Sequence, residues 1–224
     1  RGRPGPVEWL SDPAFNACDP SIVANAAGDV MVAWHDFRHG SVDLYARLRE
    51  ARTGRWSAER RLTTAPAIDR HAALLARGDE FWMLYETAQV ADYRVGSTVG
   101  RRLRLARITV EGVEEPSAGD GPLSAGSEEA AAAMDEQGRL WVSWLVPMAT
   151  PKPSGWNIRL ACFSGDRWSP SLEVSSLKGM DRRPALVVAS GVVCVAHQYD
   201  DMPRQWTNEV VADTAHSEIR LVVR

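Results

Sequence analysis

The chain has 224 residues, of which 45% are hydrophobic and 25% are charged, and its formal net charge at pH 7 is −3. A chain of this length can bury the core of one domain. Its slightly acidic balance argues against a general nucleic-acid binder, which needs a basic field over one surface. No apolar run approaches the roughly 20 residues that a membrane-spanning helix requires.

Strand-sized pieces recur along the chain from its first quarter onwards. Residues 28–34 (GDVMVAW) align with residues 138–144 (GRLWVSW), and residues 79–85 and 191–197 are weaker copies. Each copy is followed by a second apolar segment, and in the two stronger copies that segment precedes Arg-Trp-Ser. A period of roughly 40 to 60 residues built from short strands is typical of β-propeller blades.

The pattern within one unit indicates four antiparallel strands separated by glycine-containing turns. In the first unit these strands are predicted at residues 21–25, 30–34, 44–48 and 57–62. The sequence therefore predicts an all-β propeller, one domain over residues 1–224, with four repeat units. The units span residues 17–64, 66–118, 124–176 and 177–224.

One segment conflicts with this prediction locally. Residues 127–134 (SEEAAAAM) have the composition of a capped helix. We nevertheless predict a strand there, because the flanking segments align with the first unit and propensity is a weak guide against tertiary context.

The fourth unit ends after its third strand, whereas the N-terminus offers an additional strand. Within residues 1–15, the segment 6–11 (PVEWLS) resembles the fourth strands at residues 56–63 and 168–176. We expect this N-terminal strand to complete the last unit, because ring closure removes exposed sheet edges. The alternative is half of a larger ring that a second chain completes.

Residues 35–47 (HDFRHGSVDLYAR), with Asp-Pro-Ser before them and Arg-Trp-Ser after them, resemble the sialidase-like propeller repeats, of BNR or Asp-box type, of bacterial exported proteins. Residues 164–168 (SGDRW) resemble a distorted Asp box. The resemblance implies a propeller architecture and an exported, periplasmic or extracellular, location. It concerns architecture rather than activity, because fold alone does not determine function.

Propeller topology places the first residues of the inner strands and the last residues of the second strands around one axial mouth. Ionisable and polar side chains are dense at these positions, which makes them the predicted ligand-binding residues. They are Asp19, His35, Asp36, Arg38, Arg70, His71, Glu86, Glu129, Arg182, Arg183, Tyr199 and Asp200.

Four arginines of this set are candidate clamps for a carboxylate or a phosphate. They are Arg38, Arg70, Arg182 and Arg183. Three longer connections on the same face carry Tyr93, Trp156 and Trp206, whose rings could stack on sugars or other planar ligands. Equally, the rim charges could pair with one another and close the channel.

The cysteines and histidines show no metal-site spacing. Cys18, Cys162 and Cys194 form no redox or zinc motif, and the last two lie in apolar strand patterns that favour small buried side chains over a disulfide. The five histidines include no His-x-x-x-His pair. We therefore predict no metal and no cofactor, although calcium bound to aspartates and carbonyls in a channel stays open.

The sequence favours a non-catalytic binding or scaffolding module for a glycan or another polar or anionic ligand. Its partner would be that ligand or the remainder of a larger polypeptide. One alternative is a glycoside hydrolase or lyase that uses carboxylates at the mouth. The candidates are Asp19, Asp36, Glu86, Glu129 and Asp200. A second alternative is a structural, protein-docking domain whose rim charges are internally paired.

Overall fold

The computed structural model describes residues 5–90, 98–123, 126–147, 155–175, 180–201 and 216–223. These residues form β-strands and contain no helix, which confirms the all-β prediction. Within these ranges, no helix exists that could cross a membrane.

The strands form two eight-stranded sheets, and we group them in chain order into units one to four. Unit one contains β1 (Cys18–Ala24), β2 (Val30–Arg38), β3 (Ser41–Arg49) and β4 (Arg60–Arg61). Unit two contains β5 (Ile68–Arg77), β6 (Glu80–Val90), β7 (Thr98–Ile108) and β8 (Val113–Glu114). Unit three contains β9 (Glu128–Met134), β10 (Leu140–Pro147), β11 (Trp156–Ser164), β12 (Arg167–Trp168) and β13 (Leu172–Glu173). Unit four contains β14 (Met180–Ala189), β15 (Val192–Asp201) and β16 (His216–Val223).

The units join in pairs into two mixed sheets. One parallel contact, Val42 with Ile68, connects units one and two, and the parallel contact of Trp156 with Met180 connects units three and four. The inner strands β1, β5, β9 and β14 pack against one another in chain order. Within the described ranges β14 makes no comparable contact with β1, so the two sheets do not close into a ring.

Apolar side chains on both faces of the sheets hold successive units together. Met31 and Leu44 of unit one pack with Leu74 and Met83 of unit two in one buried cluster. Similar clusters lie between units two and three and between units three and four. Because each unit is apolar on both of its faces, no unit can bury its apolar side chains without a neighbouring unit.

A buried carboxylate strengthens two of the junctions between units. At the first junction, the Thr63 hydroxyl accepts a hydrogen bond from the Leu44 amide at 3.0 Å and bonds to Asp69. At the third, the Ser175 hydroxyl accepts from the Ile158 amide at 2.9 Å and donates to Asp181. In both cases the hydroxyl follows the last strand of one unit, and the carboxylate is the second residue of the inner strand of the next unit.

The alanine-rich segment is a strand, as predicted. Strand β9 pairs with β10 from Met134 opposite Leu140 to Glu128 opposite Leu145. Ala130 and Ala132 pack against the cluster between units two and three, where β5 and β14 flank the strand. Small side chains allow this close approach, and tertiary packing therefore overrides the helical propensity of the segment.

The prediction that an N-terminal strand closes the last unit is wrong. Residues 5–17 contain no strand and lie against unit one. Glu8 accepts a hydrogen bond from the Trp56 indole at 2.8 Å, and Leu10 packs on a cluster that includes Trp34 and Tyr45. The physical reason is that Trp34 and Tyr45 form an apolar surface on unit one, which Leu10 helps to cover.

The contacts between units predict a large stability effect at their centre. Leu105 is fully buried between units two and three. We expect Leu105→Ala to lower the free energy of unfolding by about 2 to 5 kcal/mol, because the cavity cannot collapse between two sheets. Urea unfolding checks this, with Leu172→Ala as the matched control, since Leu172 is 50% exposed. Equal effects of the two substitutions would contradict the packing.

Candidate functional site

One residue near the start of each inner strand has a left-handed backbone. These residues are Asp19, His71, Glu129 and Arg183, with φ angles of 49°, 52°, 46° and 49°. All four lie where the register of the inner strand shifts by a bulge. A left-handed conformation costs a non-glycine residue about 1 kcal/mol or more, and bulges redirect side chains. The fold thus places four polar residues, one from each unit, at one end of the inner strands.

Hydrogen bonds and ion pairs connect these four residues in chain order. The Asp19 carboxylate lies 3.2 Å from His71 Nε2, and His71 Nδ1 lies 3.3 Å from Glu86 Oε2. The other oxygen of Glu86 accepts the backbone N–H of Glu129 at 3.0 Å. Glu129 Oε2 then accepts the backbone N–H of Arg183 at 3.0 Å. The site therefore spans all four units.

His35 lies beside this series and is mostly buried. Its ring packs edge-on against His71 with 5.7 Å between ring centroids, and its Nδ1 lies 3.8 Å from the Asp19 carboxylate. Burial lowers the pKa of His35 below 6.5, and the charges of His71 and Arg70 lower it further against the opposing effect of Asp19. His35 is therefore neutral at pH 7 and can donate one hydrogen bond and accept another.

Glu86 is the buried anion of the site. Burial by itself would raise its pKa, but the hydrogen bonds from His71 and from the Glu129 amide, with the charges of His71 and Arg70, lower the pKa to about 2. The Arg70 guanidinium lies 3.2 Å from the same carboxylate. Glu86 is consequently a fixed negative charge at neutral pH rather than a proton donor.

A cavity of about 320 Å³ opens at this point. Its polar lining comes from His71, Glu86, Glu129 and Arg183, and its apolar lining includes Leu84 and Leu103. Glu129 and Arg183 are exposed, and no described carboxylate pairs with the Arg183 guanidinium. A concave surface with a few convergent polar groups over an apolar floor is the usual form of a small-ligand site.

Asp36 and Arg38 do not line this cavity. Both are buried, and the Arg38 guanidinium donates to Asp36 at 2.8 and 3.0 Å and pairs with Glu59. Its Cζ lies 4.3 Å from the ring centroids of both Phe15 and Tyr45. The structure places this arginine in the core of unit one, where its donors are occupied by protein groups.

Arg182, Tyr199 and Asp200 contact one another and unit four rather than the cavity. Arg182 Nε lies 3.5 Å from Asp200, and Asp200 also accepts from Gln198 at 2.8 Å. The Arg220 guanidinium stacks over Tyr199 at 3.6 Å. These pairs resemble the reciprocal ion pairs expected of a scaffold.

Of the aromatic candidates, Trp156 packs into the cluster between units three and four, and Tyr93 and Trp206 lie outside the described residues. No group of three or more His, Cys, Asp or Glu side chains in the described ranges is arranged to hold a metal ion. The three cysteines are free; Cys162 is buried, Cys194 is half-buried and Cys18 is exposed.

Asp19, His71, Glu129 and Arg183 are all among the predicted ligand-binding residues, but their left-handed backbone and their equivalence in the four units were not predicted. The sequence contains a pattern that indicates this equivalence. Each of the four residues is followed by proline or alanine and then by a small residue, in Asp-Pro-Ser, His-Ala-Ala, Glu-Ala-Ala and Arg-Pro-Ala. Leu84 and Leu103 were not predicted as lining residues, since their pattern is that of core strands.

Comparison with known proteins finds similarity of structure only. No protein-family model matches the chain, and no curated protein matches it. A protein of unknown function from Dyadobacter fermentans superposes with a TM-score of 0.65 and 12% identity, over 86% of this chain and 65% of that one.

Two enzymes of known name are also similar. A Trypanosoma rangeli sialidase matches with a TM-score of 0.56 and 12% identity, over 86% of this chain and 38% of its own. A Bombyx mori β-fructofuranosidase of glycoside hydrolase family 32 matches with a TM-score of 0.52 and 13% identity, over 92% of this chain and 46% of its own. The chain thus spans less than two thirds of each relative, and the similarity shows a sialidase-like propeller fold.

The lowered pKa of Glu86 predicts a pH-dependent contribution to stability. A carboxyl that titrates near 2 in the folded chain and near 4.5 when unfolded stabilises the fold above about pH 4.5, and this stabilisation is lost as the pH falls toward 2. We expect Glu86→Gln to lower the free energy of unfolding by about 2 kcal/mol at pH 7.

The difference between wild type and Glu86→Gln should shrink steadily between pH 5 and about pH 2, which urea unfolding at several pH values measures. Glu111→Gln is the matched control, because Glu111 is exposed. A difference that stays constant with pH would contradict the ionised, hydrogen-bonded state of Glu86.

Proposed function

We propose that this chain is a propeller module that binds a glycan, preferentially an acidic one, in the cavity between His71, Glu86, Glu129 and Arg183, and that it does so without catalysis. Four repeat units of BNR type, divided as the sequence predicts, and an exported bacterial origin are part of this proposal. The observation that carries it is a cavity lined by an exposed arginine that makes no salt bridge among the described residues, a histidine, two carboxylates and several apolar side chains.

The chemistry of the lining suits a sugar. Sugar hydroxyls both donate and accept hydrogen bonds, and the lining offers acceptors on Glu86 and Glu129 and donors on the Arg183 guanidinium, whereas both ring nitrogens of His71 face Asp19 and Glu86. The C–H face of a pyranose is apolar and would face the half-buried apolar part of the lining, which Ala73, Ala130 and Pro184 form. A carboxylate on the sugar would pair with Arg183, because an arginine fork binds carboxylates with two parallel hydrogen bonds.

The state of Glu86 supports binding over acid catalysis. A general acid at neutral pH needs a raised pKa, whereas that of Glu86 is lowered to about 2. Its hydrogen bonds to His71 and to the Glu129 amide fix the geometry of the cavity before any ligand enters. Such preorganisation reduces the entropic cost of binding.

A glycan array followed by calorimetry tests the proposal. We expect an acidic glycan to bind about tenfold tighter than its neutral analogue, which corresponds to one charge-assisted hydrogen bond. Arg183→Ala should remove this preference. Arg167→Ala is the matched control, since Arg167 is an exposed arginine at the start of β12. Absence of binding to every glycan would overturn the proposal and favour the protein-docking alternative.

Arg38 and Arg183 should respond in opposite ways. Arg38→Ala leaves the buried Asp36 without its partner, so we expect a loss of about 3 kcal/mol in the free energy of unfolding and unchanged affinity at a temperature where the variant is folded. Arg183→Ala should reduce affinity and leave the unfolding free energy within about 0.5 kcal/mol of wild type. A reversed result would place the ligand at Arg38.

A hydrolase is the second candidate, because two exposed carboxylates, Asp19 and Glu129, share the same strained backbone at one mouth. A panel of chromogenic glycosides distinguishes the two functions. If the wild type hydrolyses a glycoside and both Asp19→Asn and Glu129→Gln lose this activity, the proposal of a binding module is overturned in favour of a hydrolase. Binding without turnover would support the module.

A further inference from the structure

One face of unit four is apolar and uncovered. We call it the leading face: the side of the β14–β15–β16 sheet that carries Ile219, Leu221 and Val223 of β16 with Val187 and Val192. The pairing of Ala196 with Leu221 and of Cys194 with Val223 places these side chains on one side of the sheet. The five large side chains are between 42% and 76% exposed.

The equivalent face is covered in each of the first three units. Positions in different units can be matched by counting from the bulge in the inner strand. Counted in this way, Ala33 and Ala46 of unit one occupy the same positions as Ala196 and Leu221 of unit four. Ala33 and Ala46 are buried against unit two. By the same register, Leu84 and Leu105 of unit two are buried against unit three.

Unit three follows the same rule. Trp141 and Leu160, on its side that faces unit four, pack in the cluster that contains Val193 and Val195. The leading face of unit four is therefore a surface of the same kind as three interfaces that the chain itself forms, but the described residues leave it without a neighbour.

The opposite end of the chain carries a second apolar surface. We call it the trailing face: the side of unit one with Trp34 and Tyr45, together with the N-terminal segment that lies on it through Leu10. The segment presents Val7 and Trp9 to solvent, at 85% and 82% exposure. Because β1 makes no contact with β14 like that between neighbouring inner strands, the trailing face does not cover the leading face of the same molecule.

We infer that the leading face of one copy of this chain packs on the trailing face of a second copy. Each copy carries both surfaces. In a dimer with a two-fold axis the same head-to-tail contact forms twice, so the leading and trailing faces of both copies are covered. The contact continues the order of packing that units one to four follow within the chain. Contiguous exposed apolar patches on a protein surface mark interaction sites.

Sedimentation analysis over a wide range of concentrations tests this inference. We expect the wild type to have twice the mass of the 24.7 kDa chain. Leu221→Glu on the leading face and Trp9→Glu on the trailing face should each give monomers. Mixing the two variants should restore a dimer, because the leading face of Trp9→Glu and the trailing face of Leu221→Glu are both intact.

Val110→Glu is the matched control, because Val110 is 93% exposed in the turn between β7 and β8, away from both faces, and it should stay dimeric. Thermal unfolding verifies that all variants are folded. A monomeric wild type, a dimer that survives Trp9→Glu, or a mixture that stays monomeric would each overturn the head-to-tail contact. Glycan binding by the monomeric variants is measured separately, so failure of this inference is distinguishable from failure of the proposed function.

Discussion

The structure depends on a constraint that applies to every unit: each unit is apolar on both of its faces and must be covered from both sides. No unit can shield both of its own apolar faces, so stability comes from stacking one unit on the next. The buried clusters between successive units meet this requirement, and the carboxylate contacts at Asp69 and Asp181 add directional hydrogen bonds at two of the junctions. The same requirement explains why the N-terminal segment covers unit one.

Stacking also creates the candidate site. When sheets pack in succession, their inner strands come together, and bulges at Asp19, His71, Glu129 and Arg183 orient one polar residue from each unit toward its neighbours. Residues that are distant in sequence then share hydrogen bonds, with Glu86 as the buried anion between units two and three. The cavity is thus a consequence of how the units pack rather than of any one loop.

Much of this arrangement could be predicted from the sequence, because it follows from repetition. Aligned strand patterns predicted the all-β fold and the strand at residues 128–134. Two features could not be predicted. The similarity of residues 6–11 to a fourth strand suggested pairing with the last unit, but sequence similarity carries no information about which apolar surface is nearest.

The second feature concerns the arginines. Arg38 and Arg183 were both predicted to lie at the mouth, yet Arg38 is buried beside Asp36 and Glu59 whereas Arg183 is exposed at the cavity. The difference arises from Glu59, which lies 21 residues away in sequence. Burial and long-range partners decide whether a charged side chain serves the fold or a ligand, and neither can be read from local sequence.

The central claim is that successive units contact one another at their inner strands. Amide hydrogen exchange measured by NMR tests it directly, because four backbone N–H groups bond across units. The Ala26 amide bonds to Gly78, the Leu74 amide to Ser21, the Glu129 amide to Glu86 and the Arg183 amide to Glu129. The account predicts that all four exchange slowly, as protected amides do. Exchange of these four at the rate of an unfolded chain, while the strands themselves stay protected, would contradict it.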